Sequence, residues 1–319
     1  MNAAALRNRV PILATTGVCL LLYAAAALRY DGFFSVPVLI NLLQDNAFLG
    51  LAAIGMTFVI LSGGIDLSVG AMIGLGSILI ARLTMDSGWH PLAAIALVLV
   101  LGTLFGGGMG GLIHYFRLPP FLVTLGGMFL ARGLAFMIDL QAISINHAWL
   151  DKINELGARF VPLPAVAFPA ALVAALYLAH WTPFGRAIYA IGGGESSALL
   201  MGLPVGRVKV GIYALSGLCS AAASVLYTFY TTSGNPSAGI MLELDAIAAV
   251  VIGGTLLSGG VGHVFGTLIG VLILGIIQTA IAFEGTLNSW WTRIAIGTLL
   301  LAFILLQKLV QRGAEQRAT

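Results

Sequence analysis

Ten apolar runs punctuate this chain, at residues 10–28, 47–62, 67–83, 91–115, 120–138, 163–180, 210–230, 244–257, 262–283 and 291–310. The hydrocarbon core of a bilayer is about 30 Å thick and takes roughly 20 apolar residues of helix to cross. Lipid offers no partner to a backbone N–H or C=O, so a crossing segment must satisfy its own hydrogen bonds, as a helix does. The pattern predicts an all-α, polytopic integral membrane protein of about ten transmembrane helices. Only 8% of the 319 residues are charged and 59% are hydrophobic, against about a quarter charged in a soluble domain. Ten spans use around 200 residues, which leaves short loops and no room for a soluble catalytic domain. Residues 1–319 read as a single transmembrane domain.

The first run follows Arg7 and Arg9 and contains Ala24 to Ala27, the outline of a cleavable secretory signal. Its length is that of a full span and everything downstream is also apolar, so it reads as a retained first span. With the N-terminus in the cytoplasm, ten spans return the C-terminus there, and the Lys and Arg bias tests the assignment. The inner segments then hold Arg7, Arg9, Arg117, Arg186, Arg207, Lys209, Lys308, Arg312 and Arg317, nine of the fifteen basic residues. A net charge of +3 from such scattered residues makes no basic face for nucleic acid. Cys19 and Cys219, with no CxxC pair, support neither a disulfide framework nor a zinc site.

Two loops stand out by length. Residues 139–162, outside, carry Asn146, His147, Asp151, Lys152 and Glu155. Residues 181–209, inside, read WTPFGRAIYAIGGGESSALLMGLPVGRVK, too polar to span and too patterned for a mere linker. Pro183 and Gly185 are expected to break the chain, Ala187 to Ile191 to form one helical turn, and Glu195 to Met201 a second short helix ended by Gly202 and Pro204.

Several chemistries are missing. A P-loop needs GxxxxGK[ST], and none of Lys152, Lys209 and Lys308 follows a glycine, so ATP is not bound that way. Gly106, Gly108 and Gly111 fit GxGxxG, but inside an apolar run with no preceding strand. Gly102, Gly106 and Gly110 make better sense as a GxxxG ladder for close helix packing, as do Gly262, Gly266 and Gly270, and the shorter pair Gly70 and Gly74. The five histidines are dispersed, with no HExxH, and no serine sits in a GxSxG frame.

Asp66 is the most informative single residue. A charge at mid-membrane costs about 2.5 to 3.5 kcal/mol even on the lenient scale, and Asp66 lies between two apolar runs with Ser62, Gly63, Gly64, Ser68 and Gly70 around it. It either caps the helix that follows, marking a break between half-helices, or meets a permeating solute. Arg132, Asp245 and Gln278 are the other polar side chains in or beside spans, and each lines a polar path or satisfies a neighbouring helix. Leu61 to Gly74 also aligns without gaps to Leu257 to Gly270, which reflects either duplication or shared glycine-rich composition.

Four long stretches carry a resemblance: GIDLSVG at 64–70, LPPFLVTLGGMFLARGLA at 118–135, TPFGRAIYAIGGGESSALLMGLPVGRVK at 182–209 and DAIAAVVIGGTLLSGGVGHVFGTLIGVLILG at 245–275. In order and over nearly the whole chain, they resemble the membrane permease of bacterial ribose, xylose and galactose-type ABC importers. INHAWLD at 145–151 and FEGTLNSWWTRIAIG at 283–297 look most like the galactofuranose permease branch. The resemblance implies an ABC importer permease fold in the bacterial inner membrane. It also implies pairing with itself or a paralogous permease, two cytoplasmic ATPase subunits that hold ATP and Mg, and a periplasmic sugar-binding protein. No cofactor is then expected on this chain, nor catalysis. The loop at 181–209 matches the family's coupling helices, so Phe184, Gly185, Arg186, Ala190, Gly192, Gly193, Glu195 and Gly202 would carry the ATPase contact. Gly194 departs from the Asn that relatives often have. Asp66, Ser68, Ser62 and Gln278 are the candidates for the translocation path or the helix break.

The competing readings are a permease for a nucleoside or autoinducer, a self-sufficient secondary transporter and a membrane-embedded enzyme. The secondary transporter needs coupling carboxylates within its spans, of which Asp66 and Asp245 are nearly all the chain offers.

Overall fold

A computed structural model describes residues 3–286, 288 and 290–315, with side chains described from residue 12 to 305. Arg317 and the side chains of Arg7, Arg9, Lys308 and Arg312 lie outside the described residues. In chain order the first helices are α1 (Ala3–Arg29), α2 (Val36–Asp45), α3 (Ala47–Leu61), α4 (Val69–Met85), α5 (Pro91–Tyr115) and α6 (Pro120–Ile138). Then come the strand β1 (Ile143–Ser144), α7 (Ala148–Arg159), α8 (Leu163–Trp181), α9 (Pro183–Gly193), α10 (Glu195–Leu200) and α11 (Val205–Thr231). The strand β2 (Ser233–Gly234) and helices α12 (Leu242–Ile252), α13 (Val264–Glu284) and α14 (Trp290–Glu315) complete the described residues. The two strands pair antiparallel, Ile143 opposite Gly234, and are the only sheet among them.

Six helices, α1, α5, α6, α8, α11 and α13, are long and apolar enough to cross a membrane. The α2–α3 pair makes a seventh if its 53° bend at Asn46 falls within one span. The expected count of about ten rests on three further runs that take other forms. Runs 67–83 and 291–310 form the shorter apolar helices α4 and Trp290–Leu305. Run 244–257 yields only the 11-residue α12, roughly 16 Å long at 1.5 Å per residue and about half the thickness of the hydrocarbon core. The crossing expected from residue 47 begins earlier, with α2, because Asn46 bends the chain without ending it: its side chain donates back to Leu42 O at 2.9 Å.

Helix α11 is the hub, with α3, α4 and α5 packed around it. The glycine ladder on α5 makes this possible. A methyl group at Gly102, Gly106 or Gly110 would strike α11 at Gly217, Tyr213 and Val210 respectively, so the two backbones meet with nothing between them. Gly266 and Gly270 do the same for α13 against the carbonyls of Gly253 and Ala249, while Gly262 sits in the preceding loop against Thr255. The Gly70 and Gly74 pair does something other than the expected helix packing: it faces the non-helical segment 235–241. Some hydroxyls on the buried face of α11 are satisfied within the helix, Ser220 by Ser216 O at 2.8 Å and Thr228 by Ser224 O at 2.9 Å.

The two similar stretches fold alike. Leu61 and Leu257 each lead into a glycine turn, with Gly63 at φ 82° and Gly259 at φ 83°, the left-handed region that glycine enters without strain. A helix follows each turn, α4 and α13. The turns also touch, with Gly260 N–H donating to Leu61 O at 2.9 Å.

Candidate functional site

The break between α3 and α4 is built around Asp66, which is fully buried. One carboxyl oxygen accepts Ser68 N–H at 2.9 Å and Ser68 Oγ at 2.7 Å, and the other accepts Ser216 Oγ from α11 at 2.7 Å. Thr124 Oγ1 of α6 donates to Ile65 O at 3.3 Å. Three hydrogen bonds hold the carboxyl inside the bundle, where an unpaired one would be costly. Asp66 thus fixes the non-helical segment 62–68 just ahead of α4. Ser68 is 2% exposed, so both of these candidates are closed off in this structure, whereas Ser62 is half-buried and lines a cavity. Gln278 stands apart from this group, exposed on the second half of α13.

A second irregular segment lies beside α4. Residues 235–241 run past Gly74 and Gly70, where a methyl group would meet the carbonyls of Pro236, Ala238 and Gly239. Arg132 of α6 clamps this segment, donating through Nη1 to Pro236 O at 2.6 Å and Ala238 O at 2.7 Å. Buried non-helical backbone persists only where its polar groups are satisfied, and Arg132 donates to two of its carbonyls. Glu243 is the charged neighbour of that guanidinium, and Asp245 accepts from Arg293 of α14 at 2.6 Å. Arg132 and Asp245 therefore satisfy neighbouring elements, one of the two roles open to them in sequence.

At the end of the bundle where the two glycine turns meet, the segment 181–209 forms α9 and α10. Pro183 does not break the chain but starts α9 at its first position, where a proline costs no hydrogen bond. Thr182 Oγ1 caps the helix by accepting Gly185 N–H at 3.1 Å. Gly185 allows α9 to fold back tightly on α8, since a side chain there would strike the carbonyls of Leu178 and Ala179. The helix continues through Gly192 and Gly193, longer than the single turn expected, and α10 follows at Glu195–Leu200. Gly194 joins them at φ 168°, an extended conformation open to any residue, so the departure to glycine there changes no required geometry.

Gly192 is the residue of this group nearest the membrane breaks. A methyl group on it would meet both Leu61 O and Gly260 N, so α9 rests directly on the contact between the two glycine turns. Tyr189 strengthens the junction by donating its hydroxyl to Gly262 O at 3.1 Å. Burial pushes its phenol up to about 12, which keeps that proton in place. Arg186, Gly193, Glu195 and Gly202 are exposed, Phe184 and Ala190 are half-buried, and Gly185 is buried. Glu195 is not a free charge, because it pairs with Lys209 at 2.7 Å. Leu199, Leu200 and Met201 form a run of exposed apolar residues here, with Leu200 89% exposed. Sequence reasoning passed over them as ordinary helix residues, although a Leu-Leu-Met run in a polar loop was a usable signal.

Between α10 and the Asp66 break lies a cavity of about 610 Å³. Ser62, Gly63, Gly64 and Tyr213 line it together with Arg117, Glu195 and Lys209. Its lining mixes charged, hydroxyl-bearing and apolar side chains. Among the described residues no cluster of His, Cys, Asp and Glu has the makings of a metal site.

Residues 38–304 match the family described as the permease component of the branched-chain amino acid transport system. The chain is similar to the inner membrane ABC transporter permease protein YjfF of Escherichia coli (strain K12), 47% identical over 95% of this chain and 93% of the relative. It is also 44% identical to the ribose import permease protein RbsC of Bacillus subtilis (strain 168), over 85% of this chain and 84% of the relative. The fructose import permease protein FruG of Bifidobacterium longum (strain NCC 2705) is 35% identical over 95% and 92%. No solved structure matches the chain.

Proposed function

Because the chain belongs to the family of permease subunits of bacterial sugar ABC importers, we propose that its cargo is galactofuranose or a closely related monosaccharide. It is a multi-pass protein of the inner membrane, and ATP is hydrolysed by separate subunits. We read the whole chain as one permease domain with both termini in the cytoplasm, paired with a second permease, either identical or paralogous. The narrow choice of sugar is supported by INHAWLD at 145–151 and FEGTLNSWWTRIAIG at 283–297, which look most like the galactofuranose branch. Uptake by a deletion strain complemented with this chain, across a panel of pentoses and hexoses, is expected to be highest for galactofuranose. Preferential uptake of ribose would move the chain to the branch of its ribose-permease relatives, and uptake of a nucleoside alone would end the sugar assignment.

The observation that carries the coupling role is the seat of α9 against both glycine turns through Gly192. In this reading α9 and α10 dock in a groove of an ATPase subunit, with Leu200 and Met201 as apolar anchors and Arg186 as the exposed charge. Short amphipathic helices bind grooves in this way. Substituting Leu200→Asp or Arg186→Glu is expected to leave the permease in the membrane while sugar uptake falls about tenfold, the equivalent of 1.4 kcal/mol of lost contact. Full uptake by a Leu200→Asp, Arg186→Glu double variant would remove α9 and α10 from the interface. Glu195 is the poorer probe, since its substitution also breaks the pair with Lys209.

A further inference from the structure

Tyr213 is 2% exposed, and its hydroxyl has no hydrogen-bond partner. An orphaned buried hydroxyl weakens a fold, and native structures hold few without a use for them. This one lies against Gly64, and Tyr213 itself lines the cavity beside the Ser62–Gly64 turn. Asp66 is its charged neighbour and does not bond to it. The Asp66 carboxyl accepts three hydrogen bonds, from Ser68 N–H, Ser68 Oγ and Ser216 Oγ, out of about four that a carboxylate can take. A phenol donor in the cavity wall and one acceptor position on Asp66, buried behind that wall, therefore stand unclaimed.

The turn beside it is tied to α9. Gly63 holds its left-handed conformation at φ 82°, and the turn hangs from Leu61, whose carbonyl accepts Gly260 N–H and touches α9 at Gly192. A displacement of α9 therefore acts directly on the turn beside Tyr213.

We propose that Tyr213 contacts the sugar at an inner gate: when the Ser62–Gly64 turn lifts, its hydroxyl and the open position on Asp66 together take one hydroxyl of the departing sugar. An alcohol suits this pair because it accepts from the phenol while donating to the carboxyl. The inference rests on the sugar-permease reading.

The test is Tyr213→Phe in the assembled importer, with binding protein and ATPase subunits in proteoliposomes and galactofuranose as the probe. The ring stays and only the orphaned hydroxyl goes, so the thermal stability of the complex is expected to hold or rise. The maximal uptake rate is expected to fall about tenfold, the worth of one hydrogen bond. Half-saturation is expected to stay constant, because capture belongs to the binding protein. Across single-deoxy analogues, the analogue lacking the contacted hydroxyl is expected to move equally fast through both proteins. Wild-type rates and unchanged deoxy discrimination in Tyr213→Phe overturn the inference, as does a loss of uptake matched by a loss of stability, which makes the hydroxyl structural. Failure of the wild-type importer to move any sugar instead overturns the sugar-permease reading, and this inference with it.

Discussion

Exchanging Arg132 for methionine is expected to remove most of the folded permease from the membrane, with lysine recovering part of it. Arg132 donates to two carbonyls of the non-helical segment 235–241, Pro236 O and Ala238 O. Hydrogen bonds to a charged donor contribute about 1.5 to 3 kcal/mol each, so the two together are worth roughly 3 to 6. That is a large part of the 5 to 15 kcal/mol that stabilises a typical domain. Methionine keeps the length of the side chain but leaves the carbonyls of the buried residues Pro236 and Ala238 without that donor, and a buried unpaired polar group is costly. It also strands Glu243 beside the vacated position. Lysine restores a charge and donors on a different geometry, so an intermediate yield is expected. Detergent-solubilised yield and melting temperature of the three proteins measure this. A methionine variant as abundant and as stable as the wild type would show that the segment holds its shape without the clamp.

This clamp marks where the sequence stops being legible. The all-α architecture, the breaks around Asp66 and the position of α9 and α10 follow from local signals, namely run length, a carboxylate between glycines and a polar loop with Pro and Gly at set places. The pairing of Arg132 with Pro236 and Ala238 joins residues about a hundred positions apart, and nothing local in either stretch announces it. The same limit misread Gly70 and Gly74. Spacing of four residues reads as a helix-packing ladder, but it is equally the spacing needed to let a run of turns and a guanidinium approach one face of α4. Run length failed in a different way at 244–257, where a half-helix and the turn after it have the same apolar composition as a full span. The partner of Glu195 was also hidden, because Lys209 reaches it only once α10 has turned back toward α11.

Gly192 offers the second large effect, and here the expected loss is of transport with the fold kept. A side chain on Gly192 would enter the space held by Leu61 O and Gly260 N, the two partners of the 2.9 Å bond between the glycine turns. Leucine at this position must push α9 away from both turns or prise them apart. Overpacking of this kind costs about 1 to 3 kcal/mol, tolerable for the whole molecule but concentrated on the junction through which α9 acts on the membrane breaks. Gly193, the next residue, has nothing within 4 Å of where its side chain would stand, and alanine there is expected to be neutral or slightly stabilising by up to about 1 kcal/mol. In the reconstituted importer, Gly192→Leu is therefore expected to co-purify with the ATPase subunits and to keep their ATP hydrolysis, while sugar uptake falls about tenfold or more, at 1.4 kcal/mol per factor of ten. Gly193→Ala is expected to match the wild type in all three measurements. Equal uptake by the two variants would mean that motion of α9 reaches the breaks by some route other than the Gly192 contact.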